Sequence, residues 1–190
     1  MTSSGISATA QRLLVISDTH GHVHALEAVF NWAQDRSKSG GIRATAFLGD
    51  GASDLSHAAN STGFFCEWRL VRGNNDFDFS LPASNVFDFC GHRFYLCHGH
   101  RSSLYSGYNT LVAAAQNLKA EAALFGHTHI PYCKSTRNVL LVNPGSVGRP
   151  RSQNGATFAV IGCEEAEPLV VEFWAIDSQG KIERLTDIKQ

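Results

Sequence analysis

The sequence predicts a layered α/β domain in which the strands form two sheets, or one large mixed sheet, with helices outside. In the first half of the chain, short apolar runs alternate with segments of helical spacing, whereas the second half is rich in short strand-like runs. The chain has 190 residues, 43% of them hydrophobic, which is enough for the core of one domain. We therefore expect a flexible N-terminal segment over 1–10 and a single domain over 11–190.

The first half is predicted to contain three strands and two helices. Three short apolar runs, each closed by a polar turn with glycine, are typical of buried strands: 12–17, 42–48 and 64–71. Between the first two runs, helical spacing of apolar residues begins at His24, and Gly40 and Gly41 are predicted to stop this helix. A shorter helix is predicted over 52–60.

The second half is predicted to begin with a hairpin, since the runs at 85–89 and 93–97 flank a Cys-Gly-His turn. An alanine-rich helix is expected over 111–120. The later apolar runs are predicted as strands: 122–125, 131–135, 138–142, 157–163 and 169–176.

Composition excludes several functional classes. Lys and Arg number 16 against 17 Asp and Glu, and this near-neutral balance argues against a dedicated nucleic-acid or membrane-surface binder. The first ten residues have neither the basic start nor the apolar run of a secretory signal, and no apolar stretch is long enough to span a membrane. The five cysteines contain no C-x-x-C pair, which is typical of reduced thiols. We therefore expect a cytoplasmic protein.

Polar loops follow five of the predicted strands. They are Asp18-Thr19-His20, Gly49-Asp50, Gly73-Asn74, His98-Gly99-His100 and Gly126-His127-Thr128-His129. Ligand sites of α/β domains lie where strand ends converge, so these loops are expected to meet in one place. Two aspartates, one asparagine and several histidines form a nitrogen and oxygen donor set that suits Mn²⁺, Fe, Zn²⁺, Co²⁺ or Ni²⁺.

Seven such ligands with one shared carboxylate would supply two ions with four ligands each. Two ions about 3.5–4 Å apart form a clamp for attack at phosphorus and lower the pKa of a bridging water. Two aspartates, two divalent ions and a bridging hydroxide sum to a charge of about +1, which favours a phosphate ester as substrate.

The motifs D-x-H, G-D, G-N-x-D, H-G-H, G-H-T-H and N-P-G-S occur in this order between residues 14 and 151. In this order they resemble the calcineurin-like metallophosphoesterase superfamily, and within it the small YfcE-like prokaryotic phosphodiesterase branch. The resemblance implies a four-layer αββα sandwich whose metal site, often with Mn²⁺, lies at the strand ends. It also implies two sets of four ligands that share Asp50: Asp18, His20, Asp50 and His129 for one ion, and Asp50, Asn74, His98 and His127 for the other.

One position departs from the wider superfamily, in which the Asn of the G-N-H motif is followed by His. Here that position holds Asn75, which donates hydrogen bonds but cannot act as a general acid. His100 and His22, each beside a ligand loop, are the candidates for protonating the leaving group. Asp76 is expected to orient a metal ligand. This departure puts efficient turnover of poor leaving groups in doubt.

Simpler interpretations apply to other residues. His57 and His92 are expected to be surface or structural residues, and His24 a helix cap or packing residue. Asp18 alone would be read as the N-cap of the helix that follows, but His20 and the other loops favour the metal interpretation. Arg149 and Arg151 are equally compatible with phosphate binding and with a solvated pair.

The leading functional hypothesis is therefore hydrolysis of small phosphodiesters, with monoesters left open, by in-line attack of a metal-bridging hydroxide. The alternative is a non-catalytic, retromer-scaffold-like protein-binding module of the same fold. A third hypothesis, which depends on Asn75, is a domain that binds metal but turns over slowly. Homo-oligomerisation is left open.

Overall fold

In the computed structural model, which describes residues 5–36 and 41–189, eleven strands form two sheets. The strands are β1 (Gln11–Ile16), β2 (Ile42–Phe47), β3 (Glu67–Leu70), β4 (Ser84–Phe89), β5 (His92–Cys97), β6 (Ala122–Leu124), β7 (Pro131–Thr136), β8 (Val139–Pro144), β9 (Ala156–Cys163), β10 (Val170–Ile176) and β11 (Ile182–Arg184). The helices are α1 (Val23–Asp35), α2 (Ala52–Thr62) and α3 (Asn109–Asn117), and a 3₁₀ turn covers Leu104–Ser106.

Each sheet combines a parallel centre with antiparallel neighbours. The first has the order β11-β10-β9-β1-β2-β3, in which β1, β2 and β3 are parallel. The second has the order β4-β5-β6-β8-β7, in which β5, β6 and β8 are parallel. The carboxyl ends of six parallel strands are therefore available to carry polar loops.

Alternation along β1 shows how the first sheet is buried on both faces. Leu13 and Val15 point into the core between the two sheets, whereas Leu14 and Ile16 pack with the residues of α1 and α2. A strand that is buried on both faces needs a continuous apolar run, which is what the sequence has there.

The second sheet repeats this arrangement. Phe94 and Leu96 of β5 enter the core between the sheets, while Tyr95 and Cys97 pack in the cluster that contains α3. The order of layers is helices, sheet, sheet, helix, so the predicted αββα sandwich is confirmed.

The structure modifies several predicted elements. The third strand is shorter than the predicted 64–71 because Phe64 stacks on Phe30 of α1, with ring centroids 4.7 Å apart, instead of extending the sheet. Helix α1 ends at Asp35, and the predicted stop at Gly40 lies outside the described residues. The 3₁₀ turn and β11 were not predicted.

Within the predicted N-terminal segment over 1–10, residues 1–4 lie outside the described part, and the Ile6 amide donates to Glu172 Oε1 at 3.0 Å. The division into this segment and one domain stays a prediction. Within 5–36 and 41–189, the helices are too short and too polar to cross a membrane.

Candidate metal centre

The loops that follow the parallel strands meet at one edge of the sandwich, and their backbone is unusual. Eleven described non-glycine residues have a positive φ, and five of them are predicted metal ligands: Asp18, His20, Asp50, His127 and His129. This conformation costs on the order of 1 kcal/mol or more per residue and persists only where the surrounding structure enforces it. Five of the seven predicted ligands therefore have a strained backbone conformation.

Two glycines allow these loops to approach one another closely. A Cβ on Gly73 would lie 2.0 Å from Asp50 Oδ1, and one on Gly126 would lie 2.0 Å from Ser17 Oγ and 2.7 Å from Asp18 Oδ2. No side chain fits at such distances, so both positions require glycine. Gly73 and Gly126 therefore let the ligand loops lie close together.

Two buried carboxylates lie at the centre of the site. Asp18 Oδ1 is 3.1 Å from His129 Nε2 and 3.8 Å from His20 Nε2. Asp50 Oδ2 is 3.4 Å from His98 Nε2 and 3.6 Å from His20 Nε2. Two groups of three side chains, both of which contain Asp18, have donor atoms that all lie within 4.8 Å of one another: Asp18, His20 and His129, and Asp18, Asp50 and His98.

The ring orientation of two histidines is fixed by backbone carbonyls. His98 Nδ1 lies 2.7 Å from the Leu48 oxygen, and His129 Nδ1 lies 2.6 Å from the Arg149 oxygen. A carbonyl only accepts, so each Nδ1 carries the proton and donates it, and each Nε2 points to the carboxylates. Asp18 Oδ1 and His98 Nε2 are buried without a hydrogen-bond partner among the described residues.

This arrangement requires positive charge, either as protons on the rings or as metal ions. Unpartnered buried oxygen and nitrogen atoms that converge in one place fit a divalent transition metal, because imidazole and carboxylate are its usual ligands. The residues at this site therefore fit a divalent transition-metal ion.

The electrostatics of Asp50 are consistent with an ionised carboxylate. Burial alone raises the pKa of Asp50, but the interaction with His98 and the N–H donations from Asn75 outweigh burial and hold the pKa well below its usual range. For His20, burial lowers the pKa, and the negative charges of Asp50 and Asp18 offset this only in part.

His127 and Asn74 are placed around the same cavity, but less tightly. The His127 amide donates to Asp18 Oδ2 at 3.1 Å, and its ring centroid lies 5.2 Å from that of His98. Asn74 is exposed. The described residues that line this cavity of about 360 Å³ are His20, Asp50, Asn74, Asn75, His127, His129, Arg149, Pro150 and Arg151. The structure thus brings all seven predicted ligands to one region, and the assignment of each to an ion stays a prediction.

Asn75 and Asp76 hold the central carboxylate loop. The Asn75 amide donates to Asp50 Oδ1 at 2.7 Å, and its side-chain Nδ2 donates to Asp50 Oδ2 at 2.6 Å. The buried carboxylate of Asp76 accepts four backbone N–H groups, from Asp50, Gly51, Ala52 and Gly73, at 2.8–2.9 Å. Asp76 therefore positions the backbone of the Asp50 loop, and its role in orienting a metal ligand stays a prediction.

The two candidate proton donors lie in different surroundings. The His100 ring centroid is 5.5 Å from that of His98, and its Nδ1 is buried without a partner among the residues described. Burial and the positive charges of His98 and Arg101 lower the pKa of His100. His100 is not among the residues that line the cavity, and His22 is exposed, with Nδ1 3.1 Å from the Thr19 oxygen.

The other histidines lie away from the carboxylates. His57 is exposed and His92 is buried in a hydrogen-bonded position, as predicted for surface or structural residues. The prediction for His24 is wrong: its side chain is exposed and pairs with Glu27 at 2.9 Å. The N-cap of α1 is His22, so the N-cap interpretation of Asp18 is also wrong.

Sequence reasoning missed two residues that brace the Asp18 loop. Asp54 Oδ2 accepts from Thr19 Oγ1 at 2.5 Å and from the Gly21 amide at 2.7 Å. Ser146 Oγ donates to the Asp18 carbonyl at 2.7 Å and accepts from the Arg149 amide at the same distance. The N-P-G-S turn was a usable signal for Ser146, whereas nothing in the sequence pointed to Asp54.

A sequence profile of the calcineurin-like phosphoesterase superfamily domain matches residues 12–166. The chain belongs to this superfamily. A probable metallophosphoesterase of Mycoplasma genitalium is 28% identical over 171 residues, which cover 86% of this chain and 95% of the relative. The phosphodiesterase YfcE of Escherichia coli K12 is 28% identical over 172 residues, which cover 79% of this chain and 86% of YfcE.

Solved structures agree with this calcineurin-like assignment. A predicted phosphoesterase from Streptococcus pneumoniae superimposes with a TM-score of 0.71 at 25% identity, covering 92% of this chain and 97% of that structure. Vps29 of Chaetomium thermophilum superimposes with a TM-score of 0.73 at 20% identity, covering 94% and 97%, and it shows the shared fold alone. The predicted relationship to metallophosphoesterases is confirmed.

Proposed function

We propose that this protein is a metal-dependent phosphodiesterase that hydrolyses small phosphoesters. The observation that carries the proposal is the pair Asp18 Oδ1 and His98 Nε2, which lie 3.9 Å apart, buried and without hydrogen-bond partners among the described residues. Leaving two such polar atoms unpaired is costly, and a bound cation would satisfy both. The preference for diesters follows from the relationship to YfcE.

The proposed ligands form two sets that share Asp50: Asp18, His20, Asp50 and His129, and Asp50, Asn74, His98 and His127. The position of Asp50 Oδ2 between His20 and His98 supports its role as the shared ligand. The nitrogen and oxygen donors admit Mn²⁺, which we expect first, as well as Ni²⁺, Zn²⁺, Fe and Co²⁺.

Bound ions at these ligands would supply an activated water for in-line attack at phosphorus and would offset charge on the phosphoryl oxygens. The residues of the chain provide the rest of the site. Carbonyl-bound His98 and His129 hold their Nε2 atoms toward the carboxylates without further reorganisation. Arg149 and Arg151 are exposed at the cavity and add positive charge where an anionic ester would enter.

Every histidine among the described residues that line the cavity has a proposed metal role. His20, His127 and His129 are proposed ligands, and Asn75 donates to Asp50. We therefore expect esters with good leaving groups to react faster than esters whose leaving oxygen needs a proton. Protonation by His100 stays a prediction, and it requires that His100→Gln slow poor leaving groups more than good ones.

The test is metal analysis and hydrolysis on the same purified protein. We expect about two transition-metal ions per chain after incubation with Mn²⁺, and hydrolysis of bis-p-nitrophenyl phosphate that stops with chelator and returns with Mn²⁺, Ni²⁺ or Zn²⁺. Metal binding with no hydrolysis of any phosphoester in a broad panel would instead favour the non-catalytic alternative. Failure to bind metal would overturn the proposal.

A further inference from the structure

An exposed aromatic ring lies beside the metal-site cavity. Tyr105 is 75% exposed, and its ring centroid is 6.1 Å from that of His127, with an angle of 65° between the planes. His127 itself lines the cavity. An exposed aromatic side chain beside a proposed phosphoester site is available to contact a bound ligand.

Tyr105 lies in the 3₁₀ turn Leu104–Ser106, which packs against the His98–His100 loop. Leu104 is buried, and a Cβ on Gly99 would lie 2.7 Å from Leu104 Cδ1, so the turn packs directly on the chain between His98 and His100. The Ser106 amide donates to the Ser103 carbonyl at 2.8 Å. Tyr105 is therefore held at a defined place relative to the metal ligands.

Two further exposed aromatic residues follow in sequence a segment that lines the cavity, and two arginines line the cavity itself. Phe77 and Phe79 are both exposed and follow the Asn74–Asp76 segment, which supplies two residues of the cavity lining. Arg149 and Arg151 line the same cavity. The Tyr105 ring beside His127, together with the cationic groups of Arg149 and Arg151 on the cavity lining, suits a ligand that is both anionic and aromatic.

We propose that the substrate is a phosphodiester with a flat aromatic substituent, aryl or nucleobase, that stacks on Tyr105. This inference rests on the proposed function, because it assumes that the phosphoryl group sits at the carboxylate pair. Stacking is tolerant of the kind of ring, since aryl groups and bases all present a π face. Tyr105 is thus a specificity-determining residue, and it takes no part in bond making or breaking.

The first test measures binding without turnover. Calorimetric titration of the Mn²⁺-loaded protein compares phenylphosphonate with methylphosphonate, which differ in the ring alone. We expect phenylphosphonate to bind about three- to tenfold more tightly. Tyr105→Ala should abolish this preference and Tyr105→Phe should keep it. Phe65→Ala is the matched control, because Phe65 is 80% exposed but precedes β3, at the end of that strand opposite the ligand loops.

The second test uses turnover with a constant leaving group. Phenyl p-nitrophenyl phosphate and methyl p-nitrophenyl phosphate should differ in KM, with Tyr105→Ala raising KM for the phenyl ester about three- to tenfold and leaving kcat nearly unchanged. Equal binding of both phosphonates by the wild type, or a preference that survives Tyr105→Ala, would overturn the stacking role. Chelator-sensitive hydrolysis would then still stand, so this failure is distinguishable from failure of the proposed function.

Discussion

The two ends of β5 each carry a buried histidine, and the two residues differ in one respect. His92, at the start of the strand, is 7% exposed and has partners on both ring nitrogens, Glu121 Oε2 and the Glu164 carbonyl, each at 2.9 Å. His98, just after the strand, is 1% exposed, and among the residues that the structure describes it has a hydrogen-bond partner on Nδ1 alone. Its Nε2 is open and faces Asp50 and Asp18.

We interpret this difference as the one that separates a structural histidine, His92, from a proposed metal-binding histidine, His98. Burial alone does not distinguish them, and neither does residue type. What distinguishes them is whether every polar atom is satisfied within the protein, because an unsatisfied buried atom is costly unless something outside the chain pairs with it. The open atom lies at the carboxyl end of the parallel strand, where α/β domains bind ligands.

The largest expected effect comes from removing the shared carboxylate. Asp50→Ala should lose both ions, since Asp50 Oδ2 lies between His98 and His20, and hydrolysis should fall by more than about a thousandfold. Metal analysis by mass spectrometry and the bis-p-nitrophenyl phosphate assay measure both effects. Asp78→Ala, which removes an exposed carboxylate, is the control and should retain both ions and activity. Two ions retained in Asp50→Ala would rule out the shared role.

The direct comparison replaces in turn His92, at the start of β5, and His98, just after its end. His98→Gln should lower the metal content from two ions to one and reduce hydrolysis about a hundredfold, because a ligand with a fixed lone pair is lost. His92→Gln should keep both ions and near-normal hydrolysis. If both variants lost metal equally, hydrogen-bond satisfaction would not be the distinguishing feature.

A smaller effect is expected from the carboxylate that holds the Asp50 loop. Asp76→Asn removes one acceptor oxygen and turns an amide toward backbone N–H donors, which should lower the free energy of unfolding by about 1–3 kcal/mol. Metal affinity should fall about 10- to 100-fold. Urea unfolding in chelator and metal titration measure the two quantities. Asp78→Asn should change stability by less than about 0.5 kcal/mol, and a similar change in both variants would contradict the positioning role.

The smallest effect is the pH dependence that His92 confers. Burial lowers the pKa of His92, but the Glu121 carboxylate and the Glu164 carbonyl outweigh burial and raise it above its ordinary value. A raised folded-state pKa stabilises the protein fully below the unfolded value of about 6.5, and this contribution disappears as pH rises through the folded-state pKa. The stability difference between wild type and His92→Gln should therefore shrink from pH 6 to pH 8.5 in urea unfolding with chelator. A difference that grew with pH would reverse the assignment.

Much of the fold and the location of the site were readable from local signals. Each of β1, β2, β5 and β6 is a short apolar run followed within a few residues by a predicted ligand. The predicted bounds of these strands lie within a few residues of the observed ones. A buried parallel strand must be apolar throughout and can be polar only where it ends, so pattern and chemistry coincide at the same positions.

The hydrogen-bond partners of the residues that support the site could not be predicted, because those partners are backbone groups of other segments. The sequence shows that Asp76 is a carboxylate, but not that it accepts four amides from the Asp50 and Gly73 loops. It shows His129, but not that the Arg149 carbonyl orients its ring. Every residue has such amide and carbonyl groups, so their use is decided by tertiary approach alone.

The most direct measurement of the central claim is anomalous diffraction from crystals of the full chain grown with Mn²⁺. We predict two anomalous peaks about 3.5–4 Å apart, in contact with Asp18, Asp50, His98 and His129 and with His98 Nε2 as a ligand. Crystals in which that nitrogen has no ion beside it, with the carboxylate pair empty or the Mn²⁺ elsewhere, would contradict the account.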